Sequence, residues 1–393
     1  MTSPNMSRRQ WIRSGALLTG GFTILPGFFE NLAANPVTPV SYSECIPAIS
    51  DESIALSAPP ELKARLFANE NPFGPCEKAK QAIIEAMGNS YQYPFMYTRQ
   101  LSAKILEKEG IKDNQLLLSA GSTPILLAGA MHFSKNGGTI ISGDPSYNDL
   151  PEKASERFNG KWLKVPLTAE YKLDLDAMEK KVDGNTALVY ICNPNNPTAT
   201  VLDADKLKAF CERVSAKVPI FIDEAYIDYL DDPEAHSMID CVKKGMNVVI
   251  TRTFSKLHGF AGLRVGYGIG KPELIEQLSK YTTAHMAISA TSANAAAASY
   301  DNTEYLQDAL KKTIASKEFL YKTLKEEKYD YIPSSANFVL FPLKMEGRRF
   351  VQEMGKRGVG IRGWKINDQD WCRVSIGRMD EMEAFAQAFK EIS

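Results

Sequence analysis

The sequence predicts an α/β fold in which helices cover a mostly parallel sheet and a smaller second layer is assembled from both ends of the chain. Short apolar runs recur from Leu116 to Gly270, and each is bounded by Gly, Pro, Asn or Asp. Several runs are apolar at almost every position, which is typical of strands buried on both faces of a parallel sheet. Helical patterns such as Asp203 to Ala216 separate several of these runs, as connections between parallel strands require.

The order of the elements along the chain supports this organisation. A loop, NENPFGP from Asn69, precedes a helical stretch from Glu77 to Met87. An amphipathic helix from Tyr305 to Lys328 comes later, and two strand-like segments, ANFVLFP from Ala336 and WCRVSIG from Trp371, belong to the second layer. The strands predicted for the main sheet are LLLSAG from Leu116, TIISGD from Thr139, ALVYICNP from Ala187, IFIDEAY from Ile220, NVVITRTFSK from Asn247 and VGYGIG from Val265.

Composition and charge exclude several classes of function. The 393 residues are enough for two domains and a large buried core. The chain has 46 basic and 47 acidic side chains and a formal net charge of −1, so no electrostatic feature predicts a nucleic-acid partner. The six cysteines are scattered without a C-x-x-C pair, so neither a zinc site nor a redox dithiol is predicted. We expect no metal ion at the functional site.

The first 34 residues resemble a twin-arginine export signal. Arg8 and Arg9 precede a moderately apolar run from Gly15 to Phe29, and small residues follow at Ala33 and Ala34. This order of charge, apolar run and small residues predicts export to the periplasm. Two alternatives stay open: an uncleaved anchor, and a basic arm that is not a signal on a cytoplasmic protein.

One lysine lies among residue types that bind phosphate. Lys256 is part of TFSKLHGFAGLRVG, with Thr253 and Ser255 on one side and Arg264 on the other. A lysine amine attacks an aldehyde to form a Schiff base, so it can carry a phosphorylated aldehyde cofactor covalently. The two hydroxyls and the arginine could neutralise the phosphate of such a cofactor. Because most lysines are solvated surface charges, this segment predicts the chemistry only together with partners from elsewhere in the chain.

Polar residues that follow other predicted strands supply those partners. Asp223 ends the run IFID, and its carboxylate could pair with a protonated pyridine nitrogen. A helix cap is the alternative role for this aspartate. Tyr226 and Asn196 could donate hydrogen bonds to an oxygen on the same ring. Because ligands collect outside the carboxyl ends of parallel strands, we expect these side chains to share one crevice with Lys256.

The turn after the strand at Leu116 predicts a phosphate site. In SAGSTP, which ends at Pro124 ahead of an apolar helix, the backbone N–H groups of Ser122 and Thr123 lie where helix N-termini bind anions. Tyr147, in DPSY, could stack on an aromatic cofactor. An aromatic residue in an exposed turn is the alternative interpretation of Tyr147.

Six motifs together occur in the order and spacing of a known family. They are NENP, SAGST, DPSY, NPNNPT, DEAY and TFSK…GLR, within a stretch from Leu66 to the C-terminus. The chain resembles the class I/II pyridoxal-phosphate aminotransferases, and most of all histidinol-phosphate aminotransferases. The resemblance implies fold type I, pyridoxal 5'-phosphate as cofactor, and transamination from an amino donor to a 2-oxo acid such as 2-oxoglutarate. The implied donor is histidinol phosphate or an amino acid such as an aromatic one.

The resemblance also implies a role for each matched residue. Lys256 would be the Schiff-base lysine and proton shuttle, and Asp223 would pair with the pyridinium. Asn196 and Tyr226 would donate to the ring oxygen, and Tyr147 would stack on the ring. The phosphate would be held by the backbone N–H groups of Ser122 and Thr123 and by Thr253, Ser255 and Arg264.

Further implied roles concern the substrate and a second subunit. Tyr93, in QYP, would reach the phosphate of the neighbouring subunit, which implies a homodimer with a shared active site. Arg373 and Arg362 would grip a substrate carboxylate or phosphate through paired guanidinium bonds, although Arg362 could also be a surface arginine. Asn337 would lie on the substrate side. The implied divisions of the chain are a signal (1–34), a segment joining the small domain (35–75), a large cofactor-binding domain (76–287) and a small C-terminal domain (288–393).

Two departures from the family pattern and two rival functions accompany the resemblance. Pro124 stands where an acidic residue is usual and Ala199 where glycine is usual, which leaves room for a different substrate.

A decarboxylase of a phosphorylated amino acid would use the same lysine, aspartate and arginines. A non-catalytic exported binding protein could keep the same fold. The glycines of GYGIG from Gly266 fail the dinucleotide fingerprint, and no nucleophile elbow is present, so a dehydrogenase and a serine hydrolase are not predicted.

Overall fold

The computed structural model describes residues 62–393, which lie within one compact unit. The predictions for the export signal and for residues 35–61 therefore concern parts of the chain outside the described residues. Within residues 62–393, no helix is both long enough and apolar enough to cross a membrane.

Strands and helices alternate through the middle of the chain. The strands are β1 (Ala64–Arg65), β2 (Leu116–Ser119), β3 (Thr139–Asp144), β4 (Lys161–Pro166), β5 (Thr186–Cys192), β6 (Ile220–Asp223), β7 (Val248–Thr253), β8 (Gly266–Gly270), β9 (Phe338–Pro342), β10 (Val359–Gly360), β11 (Arg362–Ile366) and β12 (Gln369–Ser375). The helices are α1 (Glu77–Met87), α2 (Phe95–Glu109), α3 (Thr123–Ser134), α4 (Asp149–Glu156), α5 (Leu175–Lys180), α6 (Ala204–Val214), α7 (Pro233–His236), α8 (Ile239–Lys243), α9 (Pro272–Ser279), α10 (Ala290–Tyr300), α11 (Thr303–Glu326), α12 (Gly347–Lys356) and α13 (Met379–Lys390).

The main sheet has seven strands in the order β2-β8-β7-β6-β5-β3-β4. Neighbours from β7 to β4 are parallel, and β8 is antiparallel to both β2 and β7. The prediction of a mostly parallel sheet is therefore confirmed. All four residues of β6 and all five of β8 are buried, so GYGIG is a core strand and not a nucleotide-binding loop.

The sequence prediction missed β4, which forms one edge of the main sheet. Its residues KWLKVP are mostly half-buried or exposed, and Lys161 and Lys164 interrupt the apolar pattern. Lysines on an edge strand discourage pairing with other chains. Because that pattern lacks the continuous apolar run of a central strand, the strand can be located only by its pairing with β3.

The second layer combines both ends of the described chain. β11, β12 and β9 form an antiparallel sheet, and β1 pairs in parallel with β10, so that Ala64 lies opposite Val359. This pairing confirms that N-terminal and C-terminal segments meet in one layer. The long helix α11 begins at Thr303, two residues before the predicted start, because the side chain of Asn302 caps it by accepting the N–H of Tyr305.

Candidate active site

The carboxyl ends of the central strands bring the first site residues together. Asp223 ends β6 and lies between Cys192 of β5 and Thr251 of β7 in the strand register. Because side chains alternate along a strand, Thr251 and Thr253 share one face of β7 while Arg252 occupies the other. Thr251 donates from Oγ1 to Asp223 Oδ1 at 3.1 Å. Asp223 is thus fixed by the sheet and is not capping a helix.

The environment of Asp223 disfavours its own charge. The residue is 2% exposed, and burial raises its pKa from 3.8 to about 6. The Thr251 hydroxyl, the N–H of Ala225 and the charge of Lys256 oppose this effect of burial. A buried carboxylate of this kind is suited to pair with a cation that enters the site.

We expect Asp223→Asn to stabilise the cofactor-free protein at neutral pH and to weaken cofactor binding. A carboxyl with a pKa raised by folding binds its proton more tightly in the native state, so stability is lost as pH rises from about 4 to about 6. The penalty above pH 6 is about 3 kcal/mol. Asparagine keeps an acceptor for Thr251 but never ionises, so melting curves of the cofactor-free variant should lack this pH dependence. A cofactor-free variant that is less stable than the wild type at pH 7 would contradict the argument.

Lys256 follows β7 and points its amine into the same region. Its Nζ donates to the carbonyl of Asn69 at 3.2 Å and lies 5.2 Å from the centre of the Tyr226 ring. Tyr226 is 4% exposed, and its ring packs edge-on against Phe338 at 5.1 Å. The amine therefore lies beside the phenol ring of Tyr226, and its charge also acts on the carboxylate of Asp223.

Hydroxyls and an arginine form a polar cluster beside Lys256. Thr253 Oγ1 donates to Ser255 Oγ at 2.9 Å and accepts the N–H of Ser255 at 3.1 Å. Arg264 donates from Nη1 to Ser255 Oγ at 3.2 Å. The cluster places a fixed guanidinium among hydroxyl groups, which is a suitable arrangement for a phosphate.

The turn that precedes α3 lies against this cluster. Gly121 has a φ of +86°, and a Cβ there would lie 2.3 Å from Nη2 of Arg264. A Cβ at Gly266 would lie 2.8 Å from the backbone nitrogen of Ser122. Glycine at both positions allows the N-terminus of α3, with the N–H groups of Ser122 and Thr123, to approach Arg264. The helix N-terminus and the guanidinium then attract the same anion.

Tyr147 lies close enough to Asp223 for the charge of that carboxylate to act on its phenol. Burial raises the pKa of its phenol well above the ordinary range, and the charges of Asp149 and Asp223 and the nearby Tyr226 add to the effect. The tyrosine is therefore half-buried and is not an exposed turn residue. Its stacking on a cofactor ring remains a prediction.

Arg373 connects the second layer to the main sheet. It is 2% exposed and donates to Asn196 Oδ1 at 2.7 Å and to the carbonyl of Phe67 at 2.8 Å. Because Asn196 accepts through Oδ1, its amide hydrogens are free to donate elsewhere, as its predicted role requires. Arg362 lies opposite Arg373 in the strand register, and both guanidiniums face the ring of Trp364, at 5.2 and 5.7 Å.

Two predicted residues have contacts that their predicted roles do not include. Asn337 is 1% exposed and donates from Nδ2 to the carbonyls of Asn69 and Glu70, so it holds the loop that contains these two residues.

Tyr93 is 74% exposed, and its ring packs on Phe95 with centroids 5.9 Å apart. In the described part of the chain, Tyr93 makes no hydrogen bond to a site residue. A role for Tyr93 therefore depends on a second subunit.

Sequence reasoning missed Asn69 and Ser375 as individual site residues. Asn69 is 1% exposed, donates from Nδ2 to Tyr226 Oη at 3.0 Å, and has a φ of +53°. Ser375, at the end of β12, contacts both the backbone and the side chain of Asn69. The motif NENP was a signal for the loop, but the contacts join residues about 300 positions apart.

A buried ionic network behind the site was also missed. Arg252 donates from Nη1 to Glu109 Oε1 at 2.7 Å, from Nε to Glu224 Oε2 at 3.0 Å, and from Nη2 to Ser237 Oγ at 2.7 Å. Glu224 directly follows Asp223, and Arg252 lies between Thr251 and Thr253. The network therefore ties together the two strand ends that carry the site.

These residues fit pyridoxal phosphate. Lys256 provides the amine, Asp223 provides a buried carboxylate whose raised pKa calls for a cationic partner, and Gly121 leaves room for Arg264 at an anion-binding helix N-terminus. The three features lie at the carboxyl edge of the sheet, where ligands of α/β folds bind.

Known proteins resemble this chain over most of its length. Residues 63–389 match the family model described as aminotransferase class I and II. A histidinol-phosphate aminotransferase from Caldicellulosiruptor saccharolyticus is 32% identical over 333 residues, which cover 84% of this chain and 91% of that protein. Histidinol-phosphate aminotransferase 2 from Carboxydothermus hydrogenoformans is 34% identical, with 84% and 90% covered.

A solved structure shows the same fold. The crystal structure of histidinol-phosphate aminotransferase from Sinorhizobium meliloti in complex with pyridoxal-5'-phosphate superposes with a TM-score of 0.75 at 22% identity. The match covers 85% of this chain and 92% of that one.

Proposed function

Because this chain belongs to the aminotransferase class I and II family, we propose that its amino donor is histidinol phosphate or an amino acid such as an aromatic one, and its acceptor a 2-oxo acid such as 2-oxoglutarate. The chain is a pyridoxal-phosphate-dependent aminotransferase. The proposal about the donor rests on Arg362 and Arg373, which lie opposite each other in the strand register and both face the ring of Trp364.

The side chains of the pocket divide the work of transamination. Pyridoxal phosphate, when bound, supplies an aldehyde for Lys256 and a ring that accepts electrons. Asp223 would hold a carboxylate against a ring cation, while Asn196 and Tyr226 would offer hydrogen-bond donors. Lys256, whose Nζ is a free amine once the donor's amine has taken its place on the aldehyde, would accept the proton from the α-carbon of the donor and hold it on Nζ. Arg373 orients the donor by binding its anionic group.

The side chains of Arg362, Arg373 and Trp364 favour a donor that has an anionic group and a flat side chain. Two guanidiniums side by side suit a carboxylate or a phosphate, since each planar fork makes paired bonds to oxygen. Trp364 lies beside both arginines, and aromatic rings pack well on imidazole or phenyl groups. Export to the periplasm would separate the enzyme from cytosolic histidinol phosphate, so an aromatic amino acid is the donor to test beside it.

A panel of donors tests this proposal. Purified holoenzyme is given histidinol phosphate, aromatic amino acids and aliphatic amino acids, each with 2-oxoglutarate, and the glutamate formed is measured. We expect kcat/KM for the best aromatic or imidazole donor to exceed that for alanine by at least roughly tenfold, because a ring buried beside Trp364 contributes about 1.5 kcal/mol that the methyl group of alanine lacks. Equal rates for all donors would overturn the substrate proposal, and release of carbon dioxide without glutamate would favour the decarboxylase.

We propose that the enzyme is a homodimer in which Tyr93 completes the partner's site. Support comes from an exposed apolar surface around the start of α2. Tyr91 is 83% exposed, Phe95 52% and Met96 67%, and contiguous exposed apolar surface is typical of protein interfaces. Mixing inactive Lys256→Ala chains with Tyr93→Ala chains should restore activity, because one site of the hybrid then has both residues. A monomeric mass in solution, or no recovery on mixing, would contradict the shared site.

We also propose export through the twin-arginine route, which rests on the segment SRRQWIR at Ser7–Arg13. Replacing both Arg8 and Arg9 with lysine in the full chain should retain the protein in the cytoplasm, as cell fractionation would show. Unchanged fractionation of the variant would contradict export by this route.

A further inference from the structure

Asn69 has contacts with four residues of the site. Its carbonyl accepts from Lys256 Nζ at 3.2 Å and from Asn337 Nδ2 at 3.1 Å. Its side-chain nitrogen lies 3.0 Å from Tyr226 Oη, and its side-chain oxygen lies 2.8 Å from Ser375 Oγ. Asn69, Ser375 and Tyr226 are 1%, 2% and 4% exposed. Water therefore has little access to these hydrogen bonds, and each proton needs an acceptor within the protein.

The backbone decides which way these hydrogen bonds run. The N–H of Asn69 can only donate, and it does so to Ser375 Oγ at 2.8 Å. The Ser375 hydroxyl proton then needs an acceptor, and Asn69 Oδ1 at 2.8 Å is the acceptor found among the described residues. If the amide were turned over, two donors would face Ser375 Oγ and the hydroxyl proton would be buried without a partner, at a cost of the order of a lost hydrogen bond. The amide nitrogen of Asn69 therefore faces Tyr226.

This orientation has a consequence for the tyrosine. A phenol oxygen that accepts from Asn69 Nδ2 must direct its own proton elsewhere. We propose that Asn69 and Ser375 are positioning residues, which hold the proton of Tyr226 toward the cofactor side of the pocket so that Tyr226 acts as a donor. The inference deepens the cofactor site described above, and it is independent of the identity of the amino donor.

The bound cofactor reports on this proton. A hydroxyl that donates to an oxyanion on the cofactor ring stabilises the holoenzyme in which the nitrogen joining Lys256 to the cofactor has lost its proton. The visible absorption of the holoenzyme therefore changes at a lower pH. Loss of that donor should raise this pH. Asparagine and aspartate have nearly the same shape, but aspartate at neutral pH only accepts. Asn69→Asp therefore turns the Tyr226 proton toward residue 69 with little change in packing.

The experiment is an absorbance titration of purified holoenzyme without substrate. We expect Asn69→Asp and Tyr226→Phe each to raise the transition by about one pH unit, the size of one hydrogen bond to a charged group. The double variant should show no more than the larger single shift, because both changes remove the same donor. If the shift in Asn69→Asp came only from the added negative charge, the charge would act through space, and the same shift would also occur in the Tyr226→Phe background. A persistent shift, or no shift in Asn69→Asp, would overturn the proposal.

Variants at Ser375 provide an independent comparison if Asn69→Asp does not fold. Ser375→Ala removes the hydroxyl that fixes the amide, and Ser375→Thr keeps it. We expect the alanine variant to raise the transition and to bind pyridoxal phosphate several-fold more weakly, and the threonine variant to keep the wild-type transition. Equal titrations of the two Ser375 variants would contradict a role for the hydroxyl. The failure of this test would leave the donor panel unaffected, because no amino donor takes part in the titration.

Discussion

Replacing Lys256 with alanine will lower the turnover number of the holoenzyme by about 10⁴-fold. Lys256 has two roles, since it carries the cofactor and also moves a proton. Proton transfer by a positioned side chain alone raises the rate by about 10²–10⁴-fold. Its Nζ lies within hydrogen-bond distance of the Asn69 carbonyl and 5.2 Å from the Tyr226 ring. The alanine variant loses this amine and keeps the other side chains of the site. The rate should be measured with enzyme saturated in pyridoxal phosphate.

A surface lysine provides the matched control for this prediction. Lys244 is 53% exposed in its side chain, and Lys244→Ala should keep the wild-type rate. Borohydride treatment of the wild type should attach the cofactor to the peptide that contains Lys256, and mass spectrometry should find no such adduct in Lys256→Ala. Full turnover by the Lys256→Ala variant would exclude the mechanism.

Arg252→Met will lower the free energy of unfolding by about 3–5 kcal/mol, because it leaves two buried carboxylates without their cation. The side chains of Arg252, Glu109 and Glu224 are 16%, 8% and 1% exposed, with ion-pair distances of 2.7 and 3.0 Å. Methionine has a similar length, so the change removes the charge and the hydrogen bonds more than the packing. Urea unfolding of the cofactor-free protein would measure the effect.

The pH dependence of the loss gives a further check. Burial raises the pKa of Glu224, and Arg252 opposes that effect. Without Arg252 the pKa of Glu224 rises further, and a carboxyl with a raised native pKa destabilises the fold as pH increases through that range. The deficit of Arg252→Met should therefore be larger at pH 8 than at pH 5.

An exposed arginine serves as the comparison for Arg252. Arg213 forms a bidentate pair with Glu179 but is 51% exposed in its side chain. Arg213→Met should cost less than about 1 kcal/mol, as exposed ion pairs do. If Arg252→Met were as mild as Arg213→Met, the network would have no large part in holding the strand ends that carry Asp223 and Thr253.

The residues predicted from motifs lie where short segments follow buried strands. Asp223, Ser255 and Lys256 could be placed from sequence because continuous apolar runs marked β6 and β7, and parallel strands deliver their carboxyl ends to one edge. The edge strand β4 could not be placed in this way, since Lys161 and Lys164 conceal it. Burial on both faces gives a central strand a continuous apolar run, whereas an edge strand can be recognised only from its pairing with the neighbouring strand.

The fold class and the family could be predicted from the sequence, as could a Schiff-base role for Lys256, because each prediction depends on local pattern: apolar runs, turn residues and short motifs at a given spacing. The groups that orient the site residues became apparent only in the folded chain. Asn69 meets Tyr226 and Ser375, and Arg252 meets Glu109, across separations of 143 to 306 residues. The direction of such a hydrogen bond depends on every donor and acceptor that burial encloses together, and folding alone brings those groups into contact.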